Sequence, residues 1–315
     1  MCVKWRRLGD SALWNSALSA LRIHYPNSEI DLLLPPAYHP LFIDDKRFQI
    51  APEKIRERRY NLILNFHASA RTSRWCLFSG AKKRVIHFHS RRPRHSFFSM
   101  KVPSLGVPMS AIERDLNVIR ALGWEGQSPK TELKISALTK KAGEEFLKTK
   151  GWSGGTLVLF SPQASRLSKQ WSLSRYAELA HKLRNHCQVG VLYERTRPDC
   201  EALFRGTLDL CTPSLSLLLG VLPHAQQWIG SDSGVKHLAC ALNVATLTLF
   251  GPESIGEWHG YSDPHQTLQK AVPCRYQDPD PAEFSWCKES VCPLGSHACM
   301  NLISVDEVVE RLKIP

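Results

Sequence analysis

Apolar residues along this chain follow two alternating rhythms. Short unbroken apolar runs bounded by turn residues mark strands buried on both faces, and three- to four-residue spacing marks helices with one buried side. Residues 30–34, 62–66 and 84–88 are runs of the first kind in the first half, and 156–160, 189–193, 227–229 and 245–250 in the second. Between them, residues 11–24 carry Leu13, Trp14, Ala17, Leu18 and Leu21 at helical spacing and stop at Pro26-Asn27. Residues 111–122 predict a helix ending at Gly123, a C-terminal capping residue. Further helices are expected over 136–150, 173–184, 215–222, 235–242 and 304–312. The last opens with Ser304 and has Glu307 three residues on, a capping box. Strand and helix alternate, which predicts an α/β fold with largely parallel sheets. Residues 91–108 are rich in Arg, Pro, Ser and Phe without a period, and read as a long exposed loop. The glycine-bearing stretch 151–155 is the best linker. The expected division is therefore a first domain over 1–150, a second over 151–303, and a terminal helical segment over 304–315.

Composition adds limits to this pattern. A length of 315 residues suits two domains, and 43% hydrophobic with 22% charged residues is an ordinary globular balance. No stretch approaches the roughly 20 apolar residues of a membrane span. Met1-Cys2-Val3-Lys4-Trp5-Arg6-Arg7 has charge but no apolar region behind it, so a secretory signal is not read and a cytoplasmic protein is expected. The net charge of +12 is uneven: residues 1–150 carry +14 and the remainder −2. Single clusters such as Arg56, Arg58 and Arg59 read as solubilising surface. The asymmetry as a whole suits something anionic: a nucleic acid, an anionic membrane face or a phosphorylated substrate. A nucleic-acid reading rests on charge alone, because no aromatic–basic platform or known module accompanies it. Four of the ten cysteines, Cys274, Cys287, Cys292 and Cys299, fall close together without a C-x-x-C pair. They match no standard zinc pattern and read as packed thiols or an occasional disulfide, so no metal is expected.

Three segments have the residue types that chemistry needs. In Gly230-Ser231-Asp232-Ser233-Gly234, a buried strand turns sharply into a helix. Backbone N–H groups and the positive dipole end at such a start bind anions, and small residues let a diphosphate approach. Asp232 is positioned to cap the helix or face a ribose, and His237 lies on the first helical turn within reach of a sugar or phosphate. An ordinary capped turn has the same look. The second segment, residues 161–171, follows the C-terminal end of a strand, where open α/β sheets bind ligands. Ser165 offers a hydroxyl there, Arg166 and Lys169 offer positive charge for a leaving diphosphate, and Trp171 reads as packing. In the third, Arg6-Arg7-Leu8-Gly9-Asp10, Gly9 permits a tight turn and Asp10 is either a helix N-cap or a general base, with position alone favouring the cap.

In this order the segments resemble glycosyltransferase family 9, the ADP-heptose:lipopolysaccharide heptosyltransferases. Gly9-Asp10 with Leu18, Leu21-Arg22 and Tyr25-Pro26 is similar to the family's opening, and Gly80-Ala81-Lys82-Lys83-Arg84 to a segment in mid-domain. Pro162, Ala164-Ser165, Lys169 and Trp171 are similar to its donor-side loop. The most specific stretch runs from Gly230 through Asp232-Ser233-Gly234 and His237-Leu238-Ala239 to Leu249-Phe250-Gly251-Pro252. The resemblance spans nearly the whole chain. It implies a GT-B fold, two Rossmann-like domains facing across a cleft, with the last helix crossing back to the first domain. It implies an inverting, metal-independent transfer with no cofactor, moving a heptose from ADP-heptose to the inner core of lipopolysaccharide. Asp10 would be the base, with Lys169 and the helix start at Ser233-Gly234 stabilising the leaving diphosphate. Ser165, Arg166, Asp232, His237 and, for the ribose, Glu194 complete the implied donor site. The basic first half would meet a phosphorylated glycolipid at the cytoplasmic face of the inner membrane. The chain departs from the family in three places: Val3-Lys4-Trp5-Arg6-Arg7 replaces an apolar first strand, Val235-Lys236 replaces a proline-containing pair, and 275–286 look inserted. A paralogue that binds the nucleotide sugar without transferring it, or one using another nucleotide sugar, is the alternative.

Overall fold

The computed structural model describes residues 1–51, 60–87, 93–103, 109–193, 202–211, 214–275, 287 and 289–312. The chain divides into two compact units, Met1–Lys134 and Ile135–Pro315.

The first unit is built on six strands: β1 (Cys2–Val3), β2 (Asp31–Leu33), β3 (Gln49–Ile50), β4 (Leu62–Asn65), β5 (Lys83–His87) and β6 (Met100–Val102). They lie in the order β3-β2-β1-β4-β5-β6, every pair parallel. This is the Rossmann strand order, which reverses direction between β1 and β4 and opens a crevice at the carboxyl ends of those two strands. β1 is only two residues long although it is central. Cys2 and Val3 pair with Leu32 and Leu33 on one side and with Leu64 and Asn65 on the other. Lys4, the next residue, is buried, and its ammonium pairs with the buried carboxylate of Asp115 on the helix Ala111–Arg120. A charged residue is thereby tolerated at the end of a central strand.

The first helix starts earlier than its apolar spacing indicates and runs as two pieces, Leu8–Leu13 and Asn15–His24. Trp14 between them is itself helical (φ −60°, ψ −23°), and its amide donates to the Asp10 carbonyl at 3.2 Å. The expected long exposed loop is only partly that. Residues 93–95 form a 3₁₀ turn, Met100–Val102 is the edge strand, and His95 and Phe98 are buried. Ser99 Oγ bonds both the amide and the carbonyl of Arg84, fixing the segment to the start of β5.

The second unit repeats the plan. Its strands are β7 (Leu157–Ser161), β8 (Gln188–Tyr193), β9 (Leu208–Cys211), β10 (Gln227–Ser231), β11 (Ala245–Phe250) and β12 (His265–Gln269). The parallel order β12-β11-β10-β7-β8-β9 is the same topology, reversing between β7 and β10. The expected boundary at 150 falls earlier. The helix Ala137–Thr149 belongs to this unit and not the first, because it packs on the helix Leu215–Val221. Gly143 and Gly220 make that contact so close that a Cβ on Gly220 would stand 2.3 Å from the Thr139 carbonyl oxygen. The supposed linker glycine, Gly151, follows this helix at φ +93°, a left-handed C-terminal cap. The final helix, Val305–Glu310, packs on the core of this unit. Val305 and Val308 are buried in one core with Phe160, Trp171, Tyr176 and Met300. Its capping box, Ser304 with Glu307, is present.

The glycine pair supports a stability prediction. Gly220→Ala pushes a methyl into backbone that has nowhere to go, and overpacking of this kind costs about 1–3 kcal/mol. Urea unfolding is expected to show a lowered midpoint with the slope unchanged, and a midpoint equal to that of the unaltered chain would refute the contact.

Candidate functional site

The carboxyl ends of β7 and β10 lie side by side where the second sheet reverses. Gly230 lets them close up: a Cβ there would meet the Trp228 ring at 2.5 Å and the Ser161 carbonyl oxygen at 2.9 Å. β10 ends at Ser231, Ser233 is extended (φ −151°, ψ 171°), and the helix Gly234–Ala241 begins at once. Ser233 is the N-cap by position, yet its side chain bonds none of the helix amides. Among the described residues its hydroxyl finds no partner at all.

The loop after β7 brings the cations. A single 3₁₀ turn, Leu167–Lys169, presents Lys169, and a distant part of the chain holds that turn in place. Ser168 Oγ donates to the Glu289 carbonyl at 2.7 Å and its amide to the Ser290 carbonyl at 3.0 Å. The Ser168 carbonyl accepts from His297 Nε2 at 2.7 Å, and Trp171, buried as expected, donates from Nε1 to the Ile303 carbonyl at 3.0 Å.

Five charged groups meet at this edge. Lys169 Nζ donates to Asp232 Oδ2 at 2.7 Å and lies 3.5 Å from Glu253 Oε1. Arg166 pairs with Glu253 and donates to the Cys287 carbonyl at 3.2 Å. Lys236, wholly buried, donates to Asp232 Oδ1 at 2.5 Å and to the Trp258 carbonyl at 2.8 Å, and stands 4.8 Å over the Phe250 ring. Burial alone would raise the Asp232 carboxyl, but Lys236 and Lys169 more than offset it and hold it well below the usual carboxylate range.

Two sequence expectations change. Asp232 neither caps the helix nor stands open to a ribose, being buried between two lysines. His237 is also buried: its Nδ1 is 2.8 Å from the Tyr261 hydroxyl, and burial keeps it neutral. Ser165 is exposed in the loop. Glu194 lies outside the described residues. Glu253 and Lys236 were not anticipated. Glu253 had a positional signal, since it directly follows Gly251-Pro252 at the carboxyl end of β11. Lys236 had none, because its sequence does not distinguish it from a solvated helix lysine.

Asp10 sits at the corresponding edge of the first unit. It is half-buried in the first turn of the helix Leu8–Leu13, where Arg7 occupies the N-cap position, so the capping reading is set aside. His67, just after β4, feels its charge. The turn that carries His67 is made by Asn65, whose Oδ1 accepts from the amides of His67 and Ala68. Burial first, then Arg6 and Lys4, push His67 down to about 4 against the opposing pull of Asp10, so the imidazole is neutral near pH 7. Among the described residues, no three His, Cys, Asp or Glu side chains are grouped to hold a metal.

Comparison with known proteins agrees with this geometry. Residues 51–279 match the sequence profile of glycosyltransferase family 9 (heptosyltransferase). The chain is 25% identical over 294 residues to lipopolysaccharide heptosyltransferase 3 of Escherichia coli, covering 81% of this chain and 84% of that one. The crystal structure of a family 9 glycosyltransferase from Veillonella parvula superposes with a TM-score of 0.82 at 16% identity, over 98% of this chain and 94% of the other. The E. coli ADP-heptose LPS heptosyltransferase II does so at 0.80 and 18%, over 98% and 96%. These likenesses show the GT-B fold that the two Rossmann-type sheets indicate. The chain belongs to glycosyltransferase family 9, the heptosyltransferase family.

Proposed function

We propose that this glycosyltransferase moves a heptose from ADP-heptose to the inner core of lipopolysaccharide, with inversion and without a metal ion. The observation that carries the reading is Lys169, held 2.7 Å from Asp232 beside a helix start whose cap residue leaves the amides unbonded by its side chain. A cation and backbone amides together suit the charge that builds on a departing diphosphate. In the proposed step, the acceptor hydroxyl oxygen attacks the anomeric carbon from the face opposite the diphosphate. Asp10 takes the hydroxyl proton, the new C–O bond forms, and the bond to the ADP phosphate oxygen breaks. ADP leaves with the bonding electrons, and Lys169, Arg166 and the amides at Ser233-Gly234 receive its negative charge. Ser165 meets a donor hydroxyl, Asp232 holds Lys169 in place from its buried position between the two lysines, and His237 stiffens the wall behind them through Tyr261. Glu194 is assigned to the ribose.

Family membership and the activities of the relatives support the donor and the acceptor in this reading. The charge of +14 on residues 1–150 supports a phosphorylated glycolipid and contact with the anionic inner face of the inner membrane. The helix Ala70–Phe78 exposes Arg71, Arg74, Leu77 and Phe78 together, the mixture of cations and apolar groups that suits a lipid headgroup layer. No helix among the described residues is long and apolar enough to cross a membrane.

The test is ADP release from ADP-heptose with a heptose-deficient lipopolysaccharide core as acceptor. Lys169→Met is expected to lower kcat/KM by about 10²–10³-fold, the usual cost of removing one stabiliser of leaving-group charge. A wild-type chain that binds ADP calorimetrically but releases none with any core acceptor would replace this reading with a nucleotide-sugar-binding protein.

A further inference from the structure

We propose that Lys236 is a positioning residue: it is the permanent counter-charge of Asp232, and it thereby frees Lys169 to exchange Asp232 for the diphosphate. This rests on the donor-binding reading above and goes beyond it.

The two lysines grip opposite oxygens of one carboxylate, Lys169 on Oδ2 and Lys236 on Oδ1. Their surroundings differ. The Lys169 side chain is 11% exposed and arrives on a loop turn, whereas that of Lys236 is wholly enclosed. Lys236 is also tied to the Trp258 carbonyl and lies over the Phe250 ring, so its ammonium is held from three sides. Burial pulls its pKa down and Asp232 pulls it back up, so each group sustains the other's charge.

That difference decides what happens when an anion arrives. A phosphate oxygen that recruits Lys169 takes it from Asp232. With Lys169 as the sole partner, Asp232 would be left as a buried, uncompensated carboxylate, which is strongly unfavourable. Lys236 removes that penalty because it stays. Charge counting over the five groups agrees. Lys169, Lys236 and Arg166 face Asp232 and Glu253, leaving one positive charge in surplus, and without Lys236 the cluster is neutral. The surplus charge favours a diphosphate over water.

A double-mutant cycle read by calorimetry with ADP tests this on the full chain. Lys236→Met is introduced into wild type and into the D232N background, where no carboxylate remains to be stranded. In wild type it is expected to weaken ADP binding by at least about tenfold. In the D232N background it should change ADP binding by less than about threefold. A loss above about tenfold in the D232N background would mean that Lys236 acts directly or only as packing, and would overturn the proposal. So would unchanged ADP binding by a folded K236M chain. Should K236M fail to fold, the D232N comparison still decides, because the buried carboxylate is gone from both of its members. If the wild type itself binds no ADP, the donor reading fails, an outcome distinct from either of these.

Discussion

Asp10→Asn is expected to lower kcat by about 10²–10⁴-fold, the range set by removing a general base, while leaving ADP affinity within about twofold of wild type. Asparagine keeps the shape of the side chain and loses only its ability to take a proton. The carboxylate sits in the first turn of the helix Leu8–Leu13, at the edge where the first sheet reverses. Its neighbour His67, held near 4, is an uncharged imidazole at working pH and so does not neutralise it. The other carboxylate in its field, Asp115, is buried and committed to Lys4. The substitution also removes an acidic group from a helix N-terminus, which costs about 0.3–1 kcal/mol, too little to unfold the unit. ADP release measured beside ADP calorimetry separates the two effects. An asparagine variant that keeps more than about a tenth of the wild-type rate would show that Asp10 is not the base.

Lys4→Met is expected to destabilise the first unit by about 3–5 kcal/mol at pH 7, because it strands Asp115 in the core without its cation. Burial already raises the Asp115 carboxyl against the pull of Lys4, and losing Lys4 raises it further. A carboxyl whose folded pKa lies above its unfolded value, about 3.9, loses stability for the fold as pH rises between the two. The deficit in the variant is therefore full near neutrality and shrinks as the pH falls toward 4. Urea unfolding at pH 7 and pH 5 measures it. A second change, Asp115→Leu on the Lys4→Met chain, is expected to recover most of the loss, since a buried pair replaced by apolar groups is near neutral. Equal stability of the single variant and wild type at pH 7 would show that the pair does not hold β1 in place.

Legibility in the sequence followed apolar run length. β7, β10 and β11 are central and buried on both faces, so their residues form unbroken apolar runs. The edge strands β3, β6, β9 and β12 were not seen. β12, His265–Gln269, buries only Leu268 fully, and β3 has two residues, too few for any period. The unit boundary was missed for a different reason. The contact that assigns the helix Ala137–Thr149 to the second unit joins Gly143 to Gly220, and glycine carries no apolar signal. The site divided in the same way. The turn at Gly230–Gly234, Lys169 and Arg166 were legible because a strand, a tight turn and a cation following a strand end each leave a local mark. The partners of those residues were not. Glu253 meets Arg166 across 87 residues of chain, and the burial of Lys236 depends on Trp258 and Phe250 folding over it.

The grip of residues 289–303 on the loop around Lys169 also fixes the order of assembly. Ser168 is tied to a carbonyl 121 residues further along, and Trp171 to one 132 residues further. A chain emerging from the ribosome displays Lys169 long before the segment that fastens it has been made. The nascent protein is therefore unable to fasten the turn that carries Lys169 until residues 289–303 have been made, and a chain ending before residue 289 would hold the strands of both sheets but a lysine without its clasp.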